Sequence, residues 1–226
     1  MYFEKKNIDH LYNVGHTYFL DPKEQKDVSM HLKKSEYDIY YPYKDSEKVI
    51  YYIGDIPTVY LYKIECSNKL RHQDILGSLY SLKLDMSLFG YIIVDNDNYY
   101  IYIYPSIEKF FLNDFNKIGK NYIKKTKIHL EEMENYERKY EPIELVASST
   151  RIDTVISSIT NIKRSELKGY LDNKEILYNH DYLTSLSKVL NEGDTFSIRG
   201  YGKYKYIGIK SYTKKDNPII IVNKYI

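Results

Sequence analysis

A group of basic side chains in the last third of the chain could bind phosphate groups. Its members are Arg151, Lys163, Arg164, Lys168, Arg199, Lys203 and Lys205, together with the hydroxyl of Ser165. From Glu144 to Ile226 there are 13 Lys and Arg against 9 Asp and Glu, a net charge of +4, whereas the whole chain carries +2. Lysine and arginine neutralise phosphates, so this distribution predicts that a nucleic acid contacts the C-terminal end.

Two short amphipathic helices are expected to position the first of these residues. Apolar residues between Ile152 and Ile159 follow helical spacing, and Arg151 stands at the start of that helix. A second helix is expected to begin near Lys163. It would place Arg164 and Lys168, which are four residues apart, on one exposed face.

Small strands are expected to follow the two helices. The alternation Lys203-Tyr204-Lys205-Tyr206 predicts a strand with both lysines on one face. An ordinary amphipathic edge strand would show the same alternation, because edge lysines also prevent aggregation. Beside the basic residues of the helices, we interpret this pattern as part of a compact RNA-binding module.

The chain before this module is expected to form two α+β domains. A capping-box pattern at Asp21–Glu24 predicts a helix start, and the runs Val49–Ile53 and Thr58–Ile64 are predicted to pair. Tyr91–Val94 and Tyr99–Tyr104 are predicted to form a hairpin. The fold class is therefore α+β. We expect an N-terminal domain over residues 1–70, a central RRM-like sandwich over 71–143 and the RNA-binding module over 144–226.

Four sequence patches carry a resemblance to known families. The layout from Ser149 to Ile209 resembles the S-four (alpha-L) RNA-binding domain, and the whole chain resembles the YlmH family of bacterial proteins, also called RqcP. The matching patches are Ser148–Asp153, Ile198–Tyr204, Phe19–Gln25 and Arg71–Leu79. They are in register over almost the full length, which is more specific than any one patch.

The resemblance implies a non-enzymatic protein that binds the large ribosomal subunit, its rRNA and peptidyl-tRNA. Such a protein would act in ribosome-associated quality control of stalled nascent chains. Members of the family have also been linked to cell division. In the patch that opens the central domain, Arg71 and His72 are candidate RNA contacts. This sequence departs from the family pattern at Glu166, Leu167, Lys174 and Leu177.

Two alternatives remain open at the level of sequence. One is an RNA-modifying enzyme similar to pseudouridine synthases, which would need a polar pocket within residues 1–142. The other is a cell-division adaptor. No P-loop, dinucleotide-binding or zinc-protease motif is present, and the triplet Arg151-Ile152-Asp153 opens a small helical module rather than a catalytic domain. We therefore expect no catalytic residue, cofactor, metal or small-molecule substrate, and a cytoplasmic protein that does not contact a membrane.

Overall fold

The chain forms two compact units, Met1–Glu137 and Arg138–Ile226, in a computed structural model that describes residues 2–226. Its α-helices are α1 (Tyr2–Val14), α2 (Pro22–Ser29), α3 (His72–Ser81), α4 (Glu108–Asp114), α5 (Ile152–Thr160) and α6 (Leu167–Asp172). Its strands are β1 (Asp38–Tyr40), β2 (Ile50–Tyr52), β3 (Tyr60–Cys66), β4 (Phe89–Asp95), β5 (Asn98–Ile103), β6 (Lys117–Ile118), β7 (Asn121–Ile128), β8 (Tyr140–Val146), β9 (Ile176–Tyr178), β10 (Asp181–Tyr182), β11 (Thr195–Ile198), β12 (Gly202–Tyr212) and β13 (Pro218–Tyr225). None of the helices within residues 2–226 combines the length and the apolar character that a bilayer crossing requires.

A five-stranded antiparallel sheet in the order β4-β5-β3-β7-β6 organises the first unit. From β3 to β7 the chain runs β-α-β-β-α-β-β, with α3 and α4 as the helices and the short strand β6 before β7. Ile75 and Leu79 of α3 and Phe111 of α4 are fully buried and pack on one face of this sheet. The two helices therefore cover this face of the sheet and form a hydrophobic core with it.

The opposite face of the same sheet is covered by segments from both ends of the unit. Leu61 of β3 and Tyr102 of β5 point to this side and are fully buried against Phe19, Tyr43 and Met133. The contact is close, because a Cβ atom added at Gly90 of β4 would lie 2.7 Å from Tyr102 Cβ and 2.8 Å from the Phe19 ring. Neither face of the sheet is therefore open to solvent at its centre.

The second unit is a six-stranded antiparallel sheet with two helices on one face. The strand order is β10-β9-β11-β12-β13-β8. Val155 and Ile156 of α5 and Leu167 of α6 pack with Phe196 and Tyr204 of the sheet. Asn161 ends α5 in the left-handed conformation with φ of 60°, which turns the chain towards α6.

Several boundaries differ from those that the sequence predicts. The expected division between residues 70 and 71 is wrong, because β3 lies between β5 and β7 in one sheet. The predicted pairing of Val49–Ile53 with Thr58–Ile64 is also wrong: β2 pairs with β1 instead. The predicted hairpin is present, with Asp95 opposite Asn98. The boundary between the units lies at residues 137/138, rather than the expected 143/144.

Candidate nucleic-acid interface

One buried carboxylate joins two arginines of the predicted site. Arg151 donates hydrogen bonds from Nε and Nη2 to Asp153 Oδ1 and Oδ2 at 3.1 and 3.0 Å. Arg164 donates from Nη2 to Asp153 Oδ2 at 2.7 Å. The Asp153 side chain is only 7% exposed, whereas those of Arg151 and Arg164 are 42% and 51% exposed. The carboxylate thus fixes two guanidinium groups that still reach solvent.

The electrostatics of this cluster follow from its burial and its partners. Burial alone would raise the pKa of the Asp153 carboxyl, but the hydrogen bonds from Arg164 and Arg151 together outweigh that effect and lower the pKa below its ordinary value. Asp153 is therefore ionised at neutral pH. Asp153 lies in the first turn of α5, where a negative charge also interacts favourably with the helix dipole.

The second helix begins later than the sequence predicts. Arg164, Ser165 and Glu166 lie in a turn, and α6 starts at Leu167; Glu166 occupies the N-cap position without a side-chain hydrogen bond to the helix. Arg164 and Lys168 therefore do not share a helix face. Arg164 is oriented by its ion pair with Asp153 instead, while Lys163, Ser165 and Lys168 are all exposed. Leu167 is buried in the core, which explains an apolar residue at that position.

The two lysines of β12 lie on the other side of the sheet from the helices. Tyr204 and Tyr206 are buried in the core beneath α5 and α6. Because side chains alternate along a strand, Lys203 and Lys205 point away from that core. Lys203 Nζ lies 4.6 Å from the centroid of the Tyr225 ring, a cation–π contact. The structure thus separates these lysines from the Arg151–Arg164 cluster.

Several other polar residues of the second unit have structural roles. Arg199 forms an exposed ion pair with Glu175 at 3.3 Å. Asn179 donates to Asp194 Oδ1 at 2.8 Å and accepts from the Thr195 amide at 2.8 Å, so it ties two turns together. Lys174 adopts φ of 56°, in the left-handed region that favours glycine.

Arg71 and His72 belong to the first unit and stand at the start of α3. Arg71 donates to both carboxylate oxygens of Asp74, from Nη2 to Oδ1 at 2.8 Å and from Nε to Oδ2 at 3.1 Å. Asp74 Oδ2 also accepts from the Arg71 backbone amide at 2.9 Å, so it caps the helix. These hydrogen bonds lower the pKa of the Asp74 carboxyl to about 2. Both Arg71 and His72 are exposed.

The prediction of site residues passed over five lysines of the first unit. They lie at positions 117, 120, 124, 125 and 127, within a stretch from Asn116 to Ile128 that has no Asp or Glu. This one-sided charge is visible in the sequence. Only the structure shows which of these lysines face solvent, because β6 and β7 form a hairpin at one edge of the sheet.

A polar cavity of about 380 Å³ also lies in the first unit. Its lining includes Asp21, Glu24, Lys48, His72 and Asp85. Lys48 Nζ donates to the carbonyl of Phe89 at 2.9 Å, and burial lowers its pKa. Burial raises the pKa of Glu24 to about 7, although its hydrogen bond from the Asp21 amide and the charge of Lys48 oppose this. The Glu24 carboxyl group thus caps α2 and also binds a proton more tightly than an ordinary glutamate does.

We expect Glu24 to make the stability of the chain depend on pH. Its pKa in the folded state, about 7, lies above its ordinary value of 4.5, so the folded state binds the proton more tightly. The stability that this provides is complete below about pH 4.5 and is lost as the pH rises to about 7, by at most about 1.4 kcal/mol per pH unit. Urea unfolding at pH 5 and pH 7.5 measures the difference, which Glu24→Gln should reduce. Glu134→Gln, at an exposed position, should behave as the wild type, and equal pH dependence in all three proteins would contradict the expectation.

Comparisons with known proteins include a family model, a curated protein and a solved structure. A protein-family model described as "Putative RNA-binding domain in YlmH" matches residues 58–136. A curated protein of Bacillus subtilis (strain 168), "Ribosome-associated protein quality control protein P2", is 24% identical over 225 residues, which cover 94% of this chain and 88% of that protein. The solved structure of "Cell division protein ylmH from Streptococcus pneumoniae" superposes with a TM-score of 0.47 and 19% identity, over 58% of this chain and 90% of that chain.

Proposed function

Since the chain belongs to the YlmH family, we propose that it is a non-enzymatic, RNA-binding protein that associates with the ribosome. The name of the Bacillus subtilis relative supports the ribosomal association, and the description of the family model supports RNA as the ligand. The finer part of the proposal is that the protein contacts rRNA of the large subunit and peptidyl-tRNA during quality control of stalled nascent chains.

The observation that carries the proposal is the arginine pair on Asp153. Two guanidinium groups from different elements are held by one carboxylate and remain about half exposed. Nε and Nη2 of both arginines donate to Asp153, which leaves Nη1 of each guanidinium for phosphate oxygens. A guanidinium that is already held in place loses less conformational entropy on binding. Arg151 and Arg164 are therefore the central phosphate contacts of the proposed interface, and Lys163, Ser165 and Lys168 extend it.

We assign the Arg138–Ile226 unit to the S-four type of RNA-binding domain. Two short helices packed on a small antiparallel sheet support this assignment. Within this unit Lys203, Lys205 and Arg199 would contact RNA only outside the central surface, because the lysines lie on the opposite face of the sheet. For the first unit, β3, α3, β4, β5, α4 and β7 follow a β-α-β-β-α-β order, with the short strand β6 before β7, and this order supports an RRM-like assignment. Arg71 and His72 remain proposed RNA contacts there.

We expect Lys163→Gln with Lys168→Gln to weaken association with purified large ribosomal subunits by about 10- to 50-fold near 0.1 M salt. Neither lysine contacts Asp153, so the arginine pair stays in place. Two lost phosphate contacts should lower the slope of log K against log[salt] by about 1.5 to 2. Pelleting with subunits over a range of salt concentrations measures both quantities.

The matched control is Lys214→Gln with Lys215→Gln, which removes the same charge from an exposed turn between β12 and β13. This control should retain wild-type affinity and slope. If both double variants lose affinity equally, the effect is one of net charge alone. Unchanged binding in the Lys163/Lys168 variant would exclude these two residues from the interface.

The cavity at Glu24 is the pocket that an RNA-modifying enzyme would need, but the contacts of its polar groups support a structural role. Glu24 and Asp21 form a reciprocal helix cap at 2.8 and 2.9 Å. Asp85 accepts from Ser87 at 2.9 and 2.7 Å and pairs with Lys6, while Lys48 holds backbone carbonyls. A general acid or base needs a side chain directed at a substrate, and these groups are directed at the protein itself.

A further inference from the structure

The centre of the first unit's sheet cannot contact RNA as an open sheet face would. Leu61 and Tyr102 lie on the face without helices and are fully buried beneath Phe19, Tyr43 and Met133. Opening this face would expose a large part of the core. An RNA bound by the first unit must therefore contact a helix or an edge of the sheet.

The β6–β7 edge presents positive charge, and its lysines divide into two groups. Lys125 Nζ donates to the carbonyls of Phe111 and Leu112 at the end of α4, at 2.8 and 2.9 Å, so its role is structural. Lys127 pairs with Glu108 at 2.7 Å. Lys124 pairs with Glu65 at 3.0 Å. The second group is Lys117 and Lys120, which are exposed.

The hairpin also carries an exposed aromatic ring. Tyr122 is 72% exposed, although most tyrosines of this unit are wholly or partly buried. Lys117 Nζ lies 4.2 Å from the centroid of the Tyr122 ring, on one face of it. Every nucleobase has a π-face that can stack on such a ring, and a neighbouring lysine can meet the adjacent phosphate.

An open groove of about 680 Å³ runs between the hairpin and α3. Its lining includes Lys69, Gln73, Ser78, Lys117 and Asn121. The one carboxylate that lines it, Asp74, is neutralised by its 2.8 Å ion pair with Arg71. The groove is therefore polar and positively charged, which suits a phosphate backbone better than an apolar or acidic peptide.

We propose that the β6–β7 hairpin and this groove form a second RNA-binding surface, for an unpaired RNA segment. A base stacks on Tyr122, and Lys69, Lys117 and Lys120 contact the phosphates. The inference rests on the proposed RNA-binding function and adds a contact surface on the first unit to it. Tyr122 does not line the groove, but Lys117 lines the groove and also contacts the Tyr122 ring, so one RNA strand could contact both. An exposed ring can stack with a base of an unpaired strand, whereas the bases of a duplex are already stacked on each other and cannot reach Tyr122.

Two variants of the full chain separate stacking from charge. Tyr122→Ala should reduce affinity for a labelled 12-nucleotide oligouridylate about tenfold and leave the salt slope unchanged. Lys117→Gln with Lys120→Gln should lower the slope by about 1.4, because each phosphate contact on a single strand contributes about 0.7. Lys33→Gln with Lys34→Gln, in the exposed segment after α2, is the matched charge control and should match the wild type.

The outcomes distinguish this inference from the proposed function. If the hairpin variants bind oligouridylate as the wild type does, while Lys163→Gln with Lys168→Gln loses ribosomal binding, only the hairpin surface is overturned. If neither set loses binding to its RNA, the proposed function fails as well. An equal loss for a 16-base-pair RNA duplex in Tyr122→Ala would overturn the preference for unpaired RNA.

A measurement on the wild-type chain avoids any effect of the substitutions on folding. Ultraviolet crosslinking to 4-thiouridine-substituted RNA, followed by mass spectrometry, should place a crosslink on the peptide that contains Tyr122. Crosslinks confined to residues 138–226 would overturn the inference. Preferential binding of an acidic peptide, in competition with the oligouridylate, would also overturn the inference.

Discussion

Asp153→Asn is expected to destabilise the Arg138–Ile226 unit by about 2 kcal/mol. The substitution keeps the size of the side chain but removes the charge that holds Arg151 and Arg164. Two guanidinium groups would then face each other across a neutral amide. The cost is below the 3–5 kcal/mol typical of a fully buried pair, because both arginines reach solvent and water replaces part of the lost interaction.

Hydrogen–deuterium exchange of the full chain measures this effect for the second unit alone. Amides of α5 that exchange through unfolding of the unit should exchange about 30-fold faster, which corresponds to about 2 kcal/mol. Amides of β3 and β5 in the first unit should be unaffected. The matched control is Asp216→Asn, at an exposed turn position with φ of 62° that asparagine also tolerates. Exchange in α5 that stays at the wild-type rate would show that the arginine pair is held by other contacts.

Gly90→Ala is expected to destabilise the first unit by about 3 kcal/mol. The added methyl group would lie 2.7 Å from Tyr102 Cβ and 2.8 and 2.9 Å from two atoms of the Phe19 ring. Both neighbours are fully buried, and the Tyr102 atom is next to the backbone. The steric overlap can be relieved only if a strand or the Phe19 segment moves. Such a movement would loosen the packing of the Phe19 segment on the sheet.

The urea midpoint of the full chain, followed by a probe in the first unit, tests this prediction. Gly77→Ala is a matched control in the same unit, because a Cβ at that position of α3 has no neighbour within 4 Å. Alanine favours a helix over glycine, so the control should raise stability by about 0.5–1 kcal/mol. A Gly90→Ala midpoint equal to that of the wild type would mean that the Phe19 segment is not packed as closely as described.

The sequence predicted the local elements best where the signal is short-range. The capping box at Asp21 and Glu24 is present, as is the hairpin at Asp95 and Asn98, because each depends on residues close together in the chain. Long-range pairing was not predictable in the same way. The run Thr58–Ile64 could pair with any strand of suitable pattern, and the structure pairs its residues with β5 and β7 rather than with β2.

The candidate site was likewise predictable only in part. Residue types and charge by themselves identified the basic groups of the C-terminal unit, the triplet at Arg151–Asp153 and the resemblance to the YlmH family. They could not show which side chains lie close together, because the sequence does not give the direction in which a side chain points. Tertiary packing joins Arg164 to Asp153, although eleven positions separate them in the sequence, and it places Lys203 on the far side of a sheet.

The sequence by itself thus determined the distribution of charge and the resemblance to known families, since net charge and motif patches are properties of the residues. Only the tertiary structure decided the surfaces. It buried the sheet face beneath Phe19 and Tyr43, and it assigned Lys125 to the end of α4 while leaving Lys117 exposed. The physical reason is that burial and ion pairing depend on neighbours distant in the chain, and folding alone brings those neighbours together.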